Sequence, residues 1–228
     1  MKTRNRILHH AGLCGLFAAI AVSAQAATIV WSPGTIISGD SNVSTTGTFN
    51  RAYTFGSNST TTVNGVTFTP FANAGDSSTF GGFFTGYGSA TGAYSSLSSV
   101  YQSLLTGGVY ANAANASLTL GNLTLGQAYQ LQVWVNDSRT AGSGRFETLD
   151  STSSIDYNST DADGGVGQFS IGTFTANSST QTIAFNAFPA GNPDAQINGL
   201  QLRAVPEPAT LGLLSLGLVG LAARRRRN

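Results

Sequence analysis

Between Gln127 and Asn136 the chain alternates: Tyr129, Leu131, Val133 and Val135 fall on one side, Gln130, Gln132, Trp134 and Asn136 on the other. A period of two over a full strand length predicts a β-strand with one face in a core. Leu118 and Leu120 place a strand at Ala116–Leu120, ahead of the glycine-flanked stretch Gly121–Gly126. Val63-Asn64-Gly65-Val66 predicts a two-residue hairpin joining Thr60–Val63 to Val66–Thr69, because Asn-Gly tolerates the positive φ values of a type I′ turn. Further strands are expected at Thr28–Trp31, Thr48–Phe55, Arg145–Leu149, Gln168–Thr175, Thr180–Phe185 and Gln196–Ala204. One stretch changes period. Tyr94, Leu97, Val100, Tyr101, Leu104 and Leu105 recur at helical steps before Gly107-Gly108, which predicts a short amphipathic helix with a glycine stop.

Many short strands and one helix predict an all-β fold, an antiparallel β-sandwich of jelly-roll-like kind. The helix covers one end or edge of the sheets. Leu200 and Leu202 make the last strand a central one, and Ser57–Thr62 and Asp150–Gly167 read as mobile loops.

The two ends of the chain differ from its middle. Residues 1–26 read as a signal helix, with basic Lys2, Arg4 and Arg6, an apolar stretch from Ala11 to Val22, and the small-residue site Ala24-Gln25-Ala26. Cys14 follows Leu13, a poor match to a lipoprotein cleavage site. At the other end an apolar run from Ala209 to Ala223 precedes Arg224, Arg225, Arg226 and Arg227. As a helix that run reaches roughly 22 Å, less than the roughly 30 Å of a hydrocarbon core, which suits a marginal anchor helix stopped by its arginines. Basic residues flank both apolar segments on the side that stays in the cytoplasm, leaving the middle outside. The expected organisation is signal peptide 1–26, sandwich domain 27–203 and sorting and anchor segment 204–228.

Val205-Pro206-Glu207-Pro208, the apolar run and the terminal arginines, in that order, resemble the PEP-CTERM sorting signal of exported bacterial proteins; Pro206, Glu207 and Pro208 match its defining motif. The resemblance covers about a tenth of the chain. It implies recognition by an exosortase-type membrane transpeptidase, residence in the inner membrane before processing, and association with extracellular polysaccharide at the cell surface or in the matrix.

Removing both ends sharpens what the domain can do. Residues 27–203 carry four arginines, no lysine and nine acids, a net charge of −5, which argues against nucleic acid as a partner. His9, His10 and Cys14, the protein's only histidines and cysteine, all lie in the first 26 residues. Nucleophiles that need imidazole or thiolate, and zinc sites of the usual kind, are therefore excluded from the mature domain.

Two clusters carry candidate chemistry. Trp134, Asn136, Asp137 and Arg139 follow the strongest strand, where binding loops gather. If the face of Trp134 is open, the indole stacks on a sugar ring while its neighbours bind hydroxyls. If both faces are covered, Trp134 is core. Asp156, Asp161 and Asp163 lie in a Gly/Ser/Thr-rich stretch whose Asp161-Ala162-Asp163-Gly164 resembles the start of an oxygen-donor calcium loop, or is simply a solvated loop. No other cofactor is expected. The reading is a non-enzymatic, structural or adhesive module associated with polysaccharide. Its rival is a carboxylate-only, glycosidase-like enzyme pairing Glu147 with Asp137 or Asp150.

Overall fold

The computed structural model describes residues 26–56, 59–72, 74–112, 114–188 and 194–206. Residues 1–25 of the expected signal helix, and all of the anchor segment beyond Pro206, lie outside these. The first half comprises β1 (Val30–Trp31), β2 (Thr35–Ile36), β3 (Thr48–Thr54), β4 (Thr61–Val63), β5 (Val66–Pro70), β6 (Ser77–Ser78), β7 (Gly82–Phe84), α1 (Gly92–Ser95) and α2 (Ser99–Leu105). Then come β8 (Gly108–Tyr110), β9 (Ala116–Leu120), β10 (Ala128–Val135), β11 (Phe146–Leu149), β12 (Ser153–Asp156), β13 (Gln168–Thr175), β14 (Gln181–Phe188), β15 (Gln196–Ile197) and β16 (Gly199–Val205).

The largest sheet runs β1-β13-β10-β16-β3-β5-β4, with β2 also on β13; a second runs β12-β11-β14-β9-β6, and a third β15-β8-β7. The pairings are antiparallel except that β3 and β5 run parallel. The strand β10 sits between β13 and β16, hydrogen-bonded on both edges along its length. Its Tyr129, Leu131, Val133 and Val135 join Leu200 and Leu202 of β16 against Leu118, Leu120, Ile183, Phe185 and Leu149 of the second sheet. The two sheets thus pack face to face. The hairpin between β4 and β5 turns on Asn64 (φ 49°) and Gly65 (φ 74°), the positive angles expected of its Asn-Gly.

The open alternative at β10 is decided, and three expectations are corrected. The polar side of β10 is no solvent face: all its residues are buried. A second apolar layer covers it, in which Trp134 packs with Tyr101, Leu104, Phe68 and Phe169 from α2, β5 and β13. The single helix is two, because Ser98 leaves the helical conformation (ψ 148°) and caps α2, its hydroxyl accepting from the Tyr101 amide at 3.2 Å. The strand expected over Gln196–Ala204 breaks at Asn198, so that β15 and β16 join different sheets. Within Asp150–Gly167, expected to be loop, the chain forms β12 and buries Tyr157 and Asn158.

Candidate functional site

Where β10 leaves the sheet, Asn136, Asp137 and Ser138 are all buried. Burying an unpaired carboxylate is costly, and Asp137 is surrounded accordingly. Arg139 grips it in a fork, Nε to Oδ1 at 2.9 Å and the terminal nitrogen to Oδ2 at 3.0 Å, while Arg145 reaches Oδ2 at 3.3 Å. Both guanidiniums also lie over aromatic rings, Arg139 at 3.7 Å from the centre of Tyr87 and Arg145 at 4.7 Å from that of Tyr157. Arg139 is the member that reaches solvent, with 42% of its side chain exposed.

Glu147 of β11 is fully buried. Its Oε2 accepts from the Tyr157 hydroxyl at 2.8 Å and from the Gln196 amide at 2.9 Å; Oε1 has no partner among the described residues. Burial raises its pKa to about 8, against the pull of those two hydrogen bonds and of the Arg145 charge. Burial also holds the Tyr157 hydroxyl well above its ordinary range, with the Glu147 carboxylate adding to the effect.

A second layer of amides ties this cluster to the rest of the fold. Asn198 donates to the Leu105 and Gly107 carbonyls at the end of α2, and its Oδ1 accepts from the Asn136 amide at 2.8 Å. Gln196 donates to the Asn136 carbonyl at 2.7 Å. The side chain of Asn136 in turn donates to the Tyr87 carbonyl and accepts from the Gly167 amide.

Asn136, Asp137 and Arg139 are therefore brought together as expected, but in a buried ion-pair and hydrogen-bond network rather than an open site. Trp134 does not join them at a surface. It is 0% exposed, its indole N–H donates to the Tyr101 hydroxyl at 2.9 Å, and Phe68 packs edge-on at 5.5 Å. No ring face is left for a sugar, so of the two alternatives for Trp134 the structure shows the core one. Asp150, the other carboxylate offered to Glu147, accepts from the Trp31 indole and the Ala184 amide.

The three aspartates weighed for calcium diverge. Asp156 accepts from the Asn158 amide, Asp161 from the Gly144 amide, and Asp163 from the Ser89 and Thr91 hydroxyls. Among the described residues no three His, Cys, Asp or Glu side chains gather as ligands of one metal ion.

Sequence reasoning missed Tyr87, Tyr157, Gln196 and Asn198, which reach the cluster from segments remote in the chain. It also missed a cleft of about 460 Å³ at the same end of the molecule, beside β7, lined by Phe71, Phe83 and Val109 together with Thr54, Thr85 and Thr106. Phe83 is 74% exposed. The available signal was the Gly81-Gly82-Phe83-Phe84 run, where glycines set two aromatic residues on a short strand.

The opposite end holds the start of the sorting segment. Val205 is still in the ladder, paired with Ala128, and its carbonyl accepts from Gln127 Nε2 at 2.9 Å. Pro206 follows immediately and is exposed; Glu207, Pro208 and the four terminal arginines lie outside the described residues. Among the described residues no helix is long and apolar enough to cross a membrane.

A family model described as the PEP-CTERM protein-sorting motif matches residues 204–227. The chain thus carries the sorting motif of an exosortase substrate, which implies processing by that membrane enzyme. No curated protein and no solved structure matches the chain.

Proposed function

We propose that this is an exported, non-catalytic module, its jelly-roll-like sandwich delivered by the sorting segment to the cell surface or extracellular matrix, where it serves a structural or adhesive role in contact with polysaccharide. The observation that carries the reading is the sorting motif at 204–227, joined without a spacer to β16. The state of the carboxylates supports a non-catalytic role. Asp137 is clamped between two arginines, Glu147 is buried against Tyr157, and Asp150 is held by Trp31 and a strand amide. A carboxylate pair working on a glycoside needs room for the sugar and, in one geometry, for a water. These are instead ties between elements.

The test is to express the full chain in a bacterium that has an exosortase, beside a variant with Pro206, Glu207 and Pro208 all replaced by alanine. Wild type is expected in the extracellular fraction, shortened at its C-terminus and co-sedimenting with the polysaccharide of that fraction; the variant is expected to stay full-length in the inner membrane. Equal processing of both would remove the sorting reading. Release of wild-type protein that leaves polysaccharide behind in sedimentation would remove the polysaccharide partner.

A further inference from the structure

We propose that, before its tail is processed, the domain stands on the lipid surface with one defined end down, Leu125 and Phe49 meeting the headgroup region. The proposal rests on the reading of the tail as a membrane anchor and adds the orientation of the domain and the residues that touch lipid.

Strand register fixes which end this is. Val205, the last residue of β16, pairs with Ala128 at the start of β10, and Ala204 pairs with Thr48 at the start of β3. Ala128 also pairs with Thr175, so β13 ends at the same level. The N-terminal segment comes from there too: Val30 pairs with Thr173 and Trp31 with Gly172, so residues before Val30 run toward Thr175. Both ends of the domain therefore leave on one side.

From Pro206 to Ala209, where the apolar run begins, are three residue steps, at most about 11 Å fully extended. A membrane-held tail leaves this end of the domain no room to stand far from the lipid.

The surface suits that position. Thr48, Gly126, Gln127, Ala204, Val205 and Pro206 line a cleft of about 430 Å³ around the strand end. Leu125, 65% exposed, and Phe49, 47% exposed, each adjoin a residue of that lining in sequence. Apolar side chains at a headgroup boundary add binding through buried area, and the effect is strongest where charge does not oppose it. Acidic groups are concentrated elsewhere. Asp137, Glu147, Asp161 and Asp163 belong to the cluster beyond Val135 or to the loops bound to it. Near the tail end Asp76 is ion-paired with Arg51 at 2.8 Å, and Arg203 binds the carbonyls of Thr45, Thr46 and Gly47.

The experiment places one environment-sensitive fluorophore on residues 27–228, the protein after signal-peptide removal and before tail processing, at Leu125→Cys or at Phe83→Cys, which lies at the far end. Each protein is reconstituted into phosphatidylethanolamine–phosphatidylglycerol vesicles containing headgroup spin-labelled lipid, and flotation is recorded alongside quenching. The expected result is flotation of both proteins, with quenching at position 125 several-fold greater than at position 83. Flotation with equal or no quenching at 125 overturns the orientation and leaves the anchor standing. Protein that fails to float overturns the anchor reading and the proposal with it. Quenching at 125 that is lost when exosortase is co-reconstituted in the same vesicles shows that the enzyme displaces lipid there, in agreement with the proposal. A label at 125 that shifts only when the enzyme is added shows a protein, not lipid, at this end and overturns it.

Discussion

Glu147 sets a pH dependence that one substitution isolates. Its pKa in the folded protein, about 8, lies above the ordinary value of 4.5 that a glutamate has in the unfolded chain, so between those values the folded state binds the extra proton. The favourable contribution is intact below about 4.5 and is lost as pH rises through about 8, at a slope of up to about 1.4 kcal/mol per pH unit. Burial raises the Asp156 carboxyl as well, but from the ordinary aspartate value of 3.8, so its effect begins at lower pH. Glu147→Gln keeps an acceptor for Tyr157 and the Gln196 amide while removing the charge. Urea midpoints of the wild type are expected to fall from pH 5.5 to pH 8.5, and those of the variant to stay level. An unchanged slope in the variant would assign the titration to another group. Trp134 makes a separate case. Trp134→Ala is expected to lower stability by about 3–5 kcal/mol, as for a large core side chain, and Trp134→Phe by about 1–3 kcal/mol through the Tyr101 hydroxyl left without its donor. Denaturant melts measure both, and a loss under about 1 kcal/mol for alanine would be inconsistent with a packed indole.

Among the elements, the break at Asn198 does the most connecting. One side chain holds two carbonyls at the end of α2, accepts an amide of the chain leaving β10, and separates β15 from β16. Asn198→Ala leaves three buried backbone groups short of a partner, and is expected to cost on the order of 2–5 kcal/mol. It should speed hydrogen exchange at Gly107 and Gly108 ahead of the β10 amides; uniform acceleration would mean that Asn198 does not act locally on α2. That break also marks what the sequence could not convey. The strands β9 and β13 are legible residue for residue, and the β4–β5 hairpin through its turn, because local alternation and Asn-Gly chemistry decide them. The helix is legible as a face, while its division at Ser98 depends on a cap. Alternation reports polarity, not exposure, and this is why the second face of β10 misleads. Gln132 accepts from Gln201 at 2.8 Å and donates to the Asn42 carbonyl at 2.7 Å, so polar residues there are paired beneath a covering layer. The same limit applies to the site. Asn136, Asp137 and Arg139 were identifiable as a cluster by adjacency, but that Tyr87, Tyr157 and Asn198 close it depends on tertiary contacts at long sequence separation.

At the scale of the whole molecule, the position of β16 constrains where the tail can be cut. The strand lies between β10 and β3, hydrogen-bonded to both, and Leu200 and Leu202 are in the core between the sheets. Arg203 holds three carbonyls of the segment before β3, and Val205 still accepts from Gln127. Losing a central strand exposes the facing core and both neighbouring ladders, which a domain with a margin of about 5–15 kcal/mol cannot absorb. The Pro206-Glu207-Pro208 element of the sorting motif begins only at the residue after the ladder ends. A processed protein that remains folded must therefore keep the chain through Val205. Intact-mass measurement of the extracellular form is expected to give a C-terminus at or beyond that residue. A folded form ending before Arg203 would mean that β16 is dispensable, and would contradict the central place the sheet gives it. Gln127→Ala removes the side-chain hydrogen bond to the Val205 carbonyl and is expected to quicken processing about two- to fivefold, because releasing one hydrogen bond of about 0.5–1 kcal/mol makes fraying of the strand end that much more frequent. Pulse-chase kinetics of tail removal read this directly, and an unchanged rate would place the slow step after the motif has already entered the enzyme.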